Sequence, residues 1–385
     1  MRRHQPFDVE SAMRARRACW CGARELVPFG PDYVRCRACE TLISMGGLSD
    51  SELTVQDDEA DFYGKRYWLE HVKTSFDQPD VLDRARLDLT ERNPHWLSAL
   101  LKYKLPPARV VELGCAHGSS VAMMRLAGYE VSGTEMSPWV VSYAREKFGV
   151  PVEVATIETL QLEPASLDVI AMFDVLEHFS DPERSVRRCL ELLKPDGLLL
   201  VQTPNFRPQT DYEDLVQCKD PFLDQLKPPE HLYLFSEASI REFLGRLSIR
   251  YFSPEPAIFA HYDMSFVASR EPLIVHSRDQ IDKKLLSSPG GRFVLALMDL
   301  RERELTLEAA WKNCEVDRAA RLQVIQDQGA QLGRISTLEA DVAYLKELLA
   351  ATGKEWEGRL VETRSQLDEL KASAWYRIGA RLGLL

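Results

Sequence analysis

The sequence predicts an α/β protein built on a doubly wound, mainly parallel sheet, and three observations predict it. From Pro106 onward, short runs rich in Val, Ile and Leu alternate with stretches of helical period. Glycines close the helical stretches, as at Gly128 and Gly149, where a chain must leave a helix in a left-handed conformation. Polar clusters follow the strands, where open α/β sheets place their ligands.

Taken in order, "RVVEL" reads as a short buried strand, "SSVAMMRLAG" as a helix ended by Gly128 and "YEVSGTE" as a second strand. "PWVVSYAREKFG" follows as a helix with Pro138 in its first turn, then the strands "PVEVA" and "LDVIAMF". A helix over "PERSVRRCLELLK", with Ser180 or Asp181 as its N-cap, and the strand "GLLLVQT" complete the alternation. The segments to inspect for chemistry are therefore "ELGCAHG", "TEMS", "ATIE", "FDVLEH" and "QTPN".

Composition narrows the classes around this domain. The chain has 385 residues, 28% charged and 45% hydrophobic, with a net charge of −11. That suits a soluble globular protein of more than one domain and opposes binding to a polyanion, so nucleic acid is not an expected partner. No stretch reaches the roughly 18 apolar residues of a membrane span. The basic N-terminus lacks the apolar core of a secretory signal, and a cytoplasmic location is the expectation.

Four of the eight cysteines, Cys19, Cys21, Cys36 and Cys39, form a C-x-C and C-x-x-C pair within residues 1–50. Four thiolates can hold Zn²⁺ tetrahedrally, and the stretch between the pairs is long enough for a hairpin. A structural zinc-ribbon-like module is expected, the alternative being reduced thiols. Residues 51–105 read as a helical cap or linker. Within them "DFYGKRYWLEH" carries more aromatic side chains than a surface helix needs, and is expected to pack on the next domain or line a substrate entrance.

In "VVELGCAHGSS", Gly114 and Gly118 stand where the backbone must turn sharply or approach a ligand closely, but Ala116 replaces a third glycine. The dinucleotide fingerprint is thus absent. Glu135, ending the second strand, can accept both hydroxyls of a ribose. Glu112, just before the first glycine, suits a ligand carrying an ammonium or sulfonium and would repel a pyrophosphate. A nucleoside with a cationic tail describes S-adenosyl-L-methionine.

The series "VVELGCAHG", "GTEMSP", "DVLEHFSDPE" and "LLKPDGLLLVQTPN" resembles the motifs of class I S-adenosylmethionine-dependent methyltransferases over Arg109 to Arg270. The resemblance implies a seven-stranded Rossmann-like sheet, domain bounds near 106–275, and last strands "IRYFSPE" and "MSFVAS", the final one antiparallel. It also implies that Gly114 and Gly118 line the methionine tail, Glu112 fixes its ammonium, Glu135 holds the ribose, Met136 and Ile157 flank the adenine, and Asp174 sits near the methionine end. Histidine near a strand end suits removal of an acceptor proton, which nominates Glu177 with His178, and His231 beside Glu230. The bland readings are that His178 caps the following helix and that His231 anchors the insertion. In some ubiquinone-pathway O-methyltransferases that the sequence resembles, a similar Glu-His pair is linked to a divalent cation. His117 is expected to be a loop contact, and Trp139 to pack on the adenine side.

The insertion 205–235 is too long for a simple connection and is expected to be a substrate lid. A cysteine-rich module before a methyltransferase domain is similar to sugar methyltransferases and those of bacterial glycan clusters. That similarity suggests a hydroxyl of a sugar, nucleotide sugar or glycan as acceptor, with C- or N-methylation as the alternative. A further alternative is an assembly protein that binds cofactor without turnover. Residues 276–298 read as a linker and 299–371 as a coiled coil, with apolar steps at Leu338, Val342, Leu345 and Leu349, a skip after Trp356, and breaks expected at Gly329, Gly333 and Gly353. A homo-oligomer is the expected consequence. Residues 372–385 form a basic amphipathic tail suited to a membrane surface or a partner protein.

Overall fold

The computed structural model describes residues 17–76 and 79–372, and the expected amphipathic tail lies outside them except for Ala372. The chain divides into two units, 1–303 and 304–385.

In the first unit three short strands, β1 (Leu26–Phe29), β2 (Tyr33–Cys36) and β3 (Leu42–Ser44), form an antiparallel sheet. A π-helical turn, Tyr67–His71, leads into a helix over Val72–Phe76. Helix α1 (Val81–Leu87) starts at Asp80, whose carboxylate accepts from the backbone N–H groups of Leu82 and Asp83, and α2 (Arg92–Tyr103) follows.

The alternation after Pro106 appears as β4 (Arg109–Leu113), α3 (Ser119–Ala127), β5 (Glu130–Glu135), α4 (Pro138–Phe148), β6 (Val152–Val154), β7 (Leu167–Phe173), α5 (Pro182–Leu192) and β8 (Leu193–Pro204). Gly128 and Gly149 cap α3 and α4 in left-handed conformations, and Asp181 is the N-cap of α5. The insertion contributes α6 (Tyr212–Cys218) and β9 (Tyr233–Leu234); then come α7 (Glu237–Arg246), β10 (Tyr251–Glu255) and β11 (Asp263–Ser269). The main sheet has seven strands in the order β10-β11-β8-β7-β4-β5-β6. Strands β4 to β8 run parallel, and β11 is antiparallel to both neighbours. This is the Rossmann-like methyltransferase topology.

Alternate residues of the central strands enter opposite cores, as the period of two in a doubly covered sheet requires. Val111, Leu113, Ile170, Met172 and Leu199 pack with α5, α7 and the cysteine-rich module. Val110, Val169, Ala171, Leu198 and Leu200 pack with α2, α3 and α4.

Two expectations are corrected. Residues 276–298 are no linker: α8 (Arg278–Leu285) and the first turns of α9 (Pro289–Ala372) bury Ile281, Leu285, Val294, Leu295 and Met298 in the second core. Nor do Gly329, Gly333 and Gly353 break α9, because a glycine disfavours an exposed helix by only about 1 kcal/mol while its neighbours are strong helix formers. Among the described residues no helix is long and apolar enough to cross a membrane.

The insertion is also more than a lid. Strand β9 pairs with β3, so a segment expected to cover the active site completes the sheet of the cysteine-rich module as its fourth strand.

Candidate active site

A cavity of about 880 Å³ opens beyond the carboxyl ends of β4, β5, β6 and β7, the place that the winding of the sheet nominates. It runs from the glycine loop to the insertion.

At the loop end, Gly114 turns with φ +61°, and a Cβ there would meet Val175 Cγ2 at 2.7 Å. Ala116 is also left-handed, at φ +44°. It takes the strained conformation that a third glycine would have adopted freely. Gly114 and Ala116 line the cavity, but Gly118 is not among its lining residues. The role expected for Gly118 is therefore corrected: its φ is +75°, and an added Cβ would meet Val150 Cγ2 at 2.9 Å and Ala144 Cβ at 3.1 Å. It permits α3 to pack on its neighbours rather than a ligand to approach.

Glu112 lines the cavity with Oε2 buried and without a hydrogen-bond partner, and burial pushes its carboxyl up to about 8. A cation on the ligand would supply the missing partner. Glu135 is 5% exposed; its Oε1 accepts from the N–H of Met136 (2.7 Å) and Ser137 (3.2 Å), and its Oε2 from that of Ala116 (3.2 Å). Burial raises its pKa while these three donors oppose the rise. Met136 and Ile157 line the same end with apolar side chains. Trp139 is not among the lining residues; its backbone N–H donates to Asp58 Oδ2 and its ring stacks on Tyr143.

Asp174 follows β7 at φ +57°, with Oδ1 accepting from Gln202 and Oδ2 3.9 Å from Arg92 Nη1. Past it, a single 3₁₀ turn presents Glu177 and His178. His178 does not cap α5. Its Nδ1 lies 2.9 Å from the backbone oxygen of Glu230 and 3.0 Å from Tyr63 Oη. Nδ1 of His231 lies 2.7 Å from the backbone oxygen of Gln225. A carbonyl can only accept, so each Nδ1 carries the proton and each Nε2 keeps a lone pair. The two rings meet edge to face, 4.9 Å apart. Burial lowers both imidazole pKa values, that of His231 well below the ordinary range.

Glu177 Oε2 accepts from Thr203 Oγ1 at 2.9 Å, whereas Oε1 is buried without a hydrogen-bond partner, 4.0 Å from His178 Nε2. Burial and then the charge of Asp174 push the Glu177 carboxyl up to about 8. One ligand atom each from Glu177, His178 and His231 lie within 4.8 Å of one another. Histidines fixed through Nδ1 by carbonyls, with an orphaned carboxylate oxygen beside them, make a donor set that could hold a divalent cation.

Several residues at this site were not singled out from the sequence. Tyr67 donates to Glu230 Oε2 at 2.7 Å, and Tyr63 and Trp68 line the cavity with it. The aromatic density of "DFYGKRYWLEH" signalled an entrance but no partner. Arg84 and Arg92 from the helical cap also line the cavity, both bonded to Asp88, which in turn holds His117 Nε2 at 3.1 Å. His117 is thus a loop contact. Asp263 of β11, raised to about 9 chiefly by burial, and Lys227, lowered by burial, complete the polar lining near the insertion.

In the cysteine-rich module, one sulfur from each of Cys19, Cys21, Cys36 and Cys39 lies within 4.8 Å of the others. Hydrogen bonding between Cys19 and Cys39, 3.4 Å apart, holds the Cys39 thiol down and pushes that of Cys19 up. Four converging thiols fit a tetrahedral Zn²⁺, and they leave no ligand position for chemistry.

Residues 85–247 match the profile of the family described as "Methyltransferase domain". A ubiquinone biosynthesis O-methyltransferase of Xanthomonas campestris pv. campestris is 39% identical over 111 residues, 27% of this chain and 46% of that protein. A probable S-adenosylmethionine-dependent methyltransferase of Mycobacterium tuberculosis is 35% identical over 97 residues, 25% of this chain and 35% of that protein. The chain therefore spans about half or less of the length of these curated relatives. Among solved structures, the magnesium protoporphyrin IX methyltransferase of Synechocystis PCC 6803 with bound SAH aligns at 21% identity and a TM-score of 0.39, over 54% of this chain and 98% of that one.

Proposed function

We propose, from the methyltransferase domain that residues 85–247 carry, that the protein transfers the methyl group of S-adenosyl-L-methionine to a hydroxyl of a small polar acceptor. The observation that carries the reading is the pair of Nε2 lone pairs, on His178 and His231, in the same cavity as Glu112, whose Oε2 has no hydrogen-bond partner. Glu112 and Glu135 would hold the ammonium and ribose of the cofactor, whose sulfonium, when bound, supplies the electrophilic methyl. His231 or His178 accepts the hydroxyl proton at Nε2 as the acceptor oxygen forms its new bond. Both imidazoles are neutral at pH 7, as a base must be. The reaction yields the methyl ether, S-adenosylhomocysteine and a proton.

A sugar, nucleotide sugar or glycan is the acceptor class we favour. Asp174, Glu230, Asp263 and Lys227 offer hydrogen bonds around the transfer end, and Tyr63, Tyr67 and Tyr262 supply faces for a sugar ring. The reading includes a structural Zn²⁺ on Cys19, Cys21, Cys36 and Cys39. A second reading is favoured by the orphaned Glu177 Oε1: Glu177, His178 and His231 would hold a divalent cation, which would lower the pKa of a bound hydroxyl.

The test is turnover of S-adenosylmethionine with panels of sugar nucleotides and phenolic acceptors, for the full chain and for His231→Ala and His178→Ala. Loss of about 10²- to 10⁴-fold in kcat for at least one variant, with cofactor affinity retained, is expected of a lost base. Unchanged kcat in both variants on an accepted substrate would exclude the histidines as bases. Turnover lost on chelation and restored by Mg²⁺ or Mn²⁺, in a zinc-loaded sample, would favour the second reading.

A further inference from the structure

We infer that the helix over residues 335–370 is one strand of a parallel, in-register, two-stranded coiled coil formed with a second copy of this chain. Helix α9 runs to Ala372, and among its described residues from Glu304 to Ala372 every one except Glu315 is exposed. An isolated helix gains most of its stability from packing an apolar face, and in one copy the apolar side chains of this segment stand exposed.

The face is a narrow seam rather than the broad stripe of a helix in a globular core. With Ile335 at position a, the core positions are Ile335, Leu338, Val342, Leu345, Leu349, Thr352 and Trp356. Leu360, Thr363, Leu367 and Leu370 resume the pattern after an insertion of four residues, a stutter that locally unwinds a supercoil without ending it. The apolar members are all about half exposed or more, from Val342 at 48% to Leu349 at 73%. The two threonines are compatible with a seam: Thr352 Oγ1 donates to its own helix at Leu348 O (2.8 Å), and Thr363 Oγ1 to Arg359 O (2.7 Å).

Sequence also selects the partner and its direction. Ile335 and Val342 at a with Leu338 and Leu345 at d is the pattern that favours two parallel strands. In that arrangement each g residue faces the e residue five positions on in the other copy. Arg334 then faces Glu339, and Asp341 faces Lys346, both pairs of opposite sign and each occurring twice by symmetry. An antiparallel pair aligned through Val342 and Leu338 would set Asp341 against Asp341 and Glu339 against Glu339. The charges therefore match a second copy in parallel and oppose this antiparallel register, while the a and d residues favour the parallel pair.

The experiment is the mass of the full chain by light scattering after size exclusion, at micromolar concentration. The expected result is twice 43.9 kDa for the natural sequence and 43.9 kDa for Leu338→Glu/Leu345→Glu. Ala340→Glu, at an outward f position, is expected to remain dimeric, which separates loss of the seam from general damage to the helix. Asp341→Lys is expected to weaken the dimer several-fold, and Asp341→Lys/Lys346→Asp in one chain to restore it. A monomeric natural sequence, a mass of three copies, or a dimer that survives the double glutamate change would each overturn the proposal. Dissociation by Ala340→Glu, or failure of the charge exchange to restore the dimer, would do so as well.

Discussion

Tyr33, in the hairpin between the two cysteine pairs, donates its hydroxyl to the backbone oxygen of His231 across 198 residues of sequence, at 2.9 Å. The bond is one of a set. Ser44 Oγ donates to Pro228 O at 2.6 Å, the N–H groups of Ser44 and Leu48 donate to Leu232 O and Pro229 O, and Tyr233 Oη donates to Ala18 O. The cysteine-rich module thus holds the segment that carries Glu230 and His231, while the N–H of Leu232 donates to Glu177 O on the other side. The four-thiol module thereby takes part in placing His231, a base of the proposed reaction.

Removal of the Zn²⁺ proposed on the four cysteines is accordingly expected to separate turnover from cofactor binding. Chelation, or Cys36→Ser, releases the hairpin and with it the placement of His231, where a small displacement of a reacting group lowers rates by about 10²-fold. The cofactor end rests on β4 and β5 and is expected to keep its affinity within a few-fold. Parallel measurement of kcat and of S-adenosylhomocysteine binding checks this, and equal loss of both would contradict it.

Binding of a cationic ligand beside Glu112 is expected to release a proton. The free carboxyl, raised to about 8, is mostly protonated at pH 7; an ammonium favours the anion and lowers the pKa, so the proton leaves on binding. Affinity should therefore rise with pH from 7 toward 8. Calorimetry in buffers of different ionisation enthalpy should find up to about one proton released per ligand, and Glu112→Gln should abolish the release.

The acid limb of the activity should lie below the ordinary histidine range. Burial lowers the pKa values of His178 and His231, so the neutral, basic form persists as pH falls past about 6.5 and is lost only at lower pH. With S-adenosylmethionine saturating, so that the titration of Glu112 does not enter, kcat/KM for the acceptor should be level through pH 6.5 and decline below it. A decline beginning above pH 7 would place the proton acceptor elsewhere.

Gly118→Ala is expected to affect stability rather than ligand contact. It forces a side chain into a left-handed conformation and against Val150 and Ala144, which should lower unfolding free energy by about 1–3 kcal/mol. Denaturant unfolding measures this, and cofactor affinity below the transition should change little.

The parts of this structure legible in the sequence are those fixed by local pattern. The strands after Pro106, the glycine caps at Gly128 and Gly149 and the Asp181 cap follow from rules spanning a few residues. Glu177 and His178 were legible because the winding of the sheet nominates the turn after β7. What stayed hidden depends on partners far apart in sequence. Strand β9 is two residues long and has no period to read; only its pairing with β3 defines it. Trp96 looks like any core residue until its ring is found stacked on Phe173, 4.1 Å away. Tyr67 reaches Glu230 from a π-helical turn that no spacing announces, and Gly118 carries the same letter whether it faces a ligand or Val150.

Binding of a methyl donor across Glu112 and Glu135, on which the proposed reaction depends, is measured by calorimetric titration of the full chain with S-adenosylmethionine and S-adenosylhomocysteine, beside Glu135→Ala. Micromolar binding of either ligand by the natural sequence, lost in the variant, is the predicted result. Absence of binding by a folded, zinc-loaded sample would contradict the account.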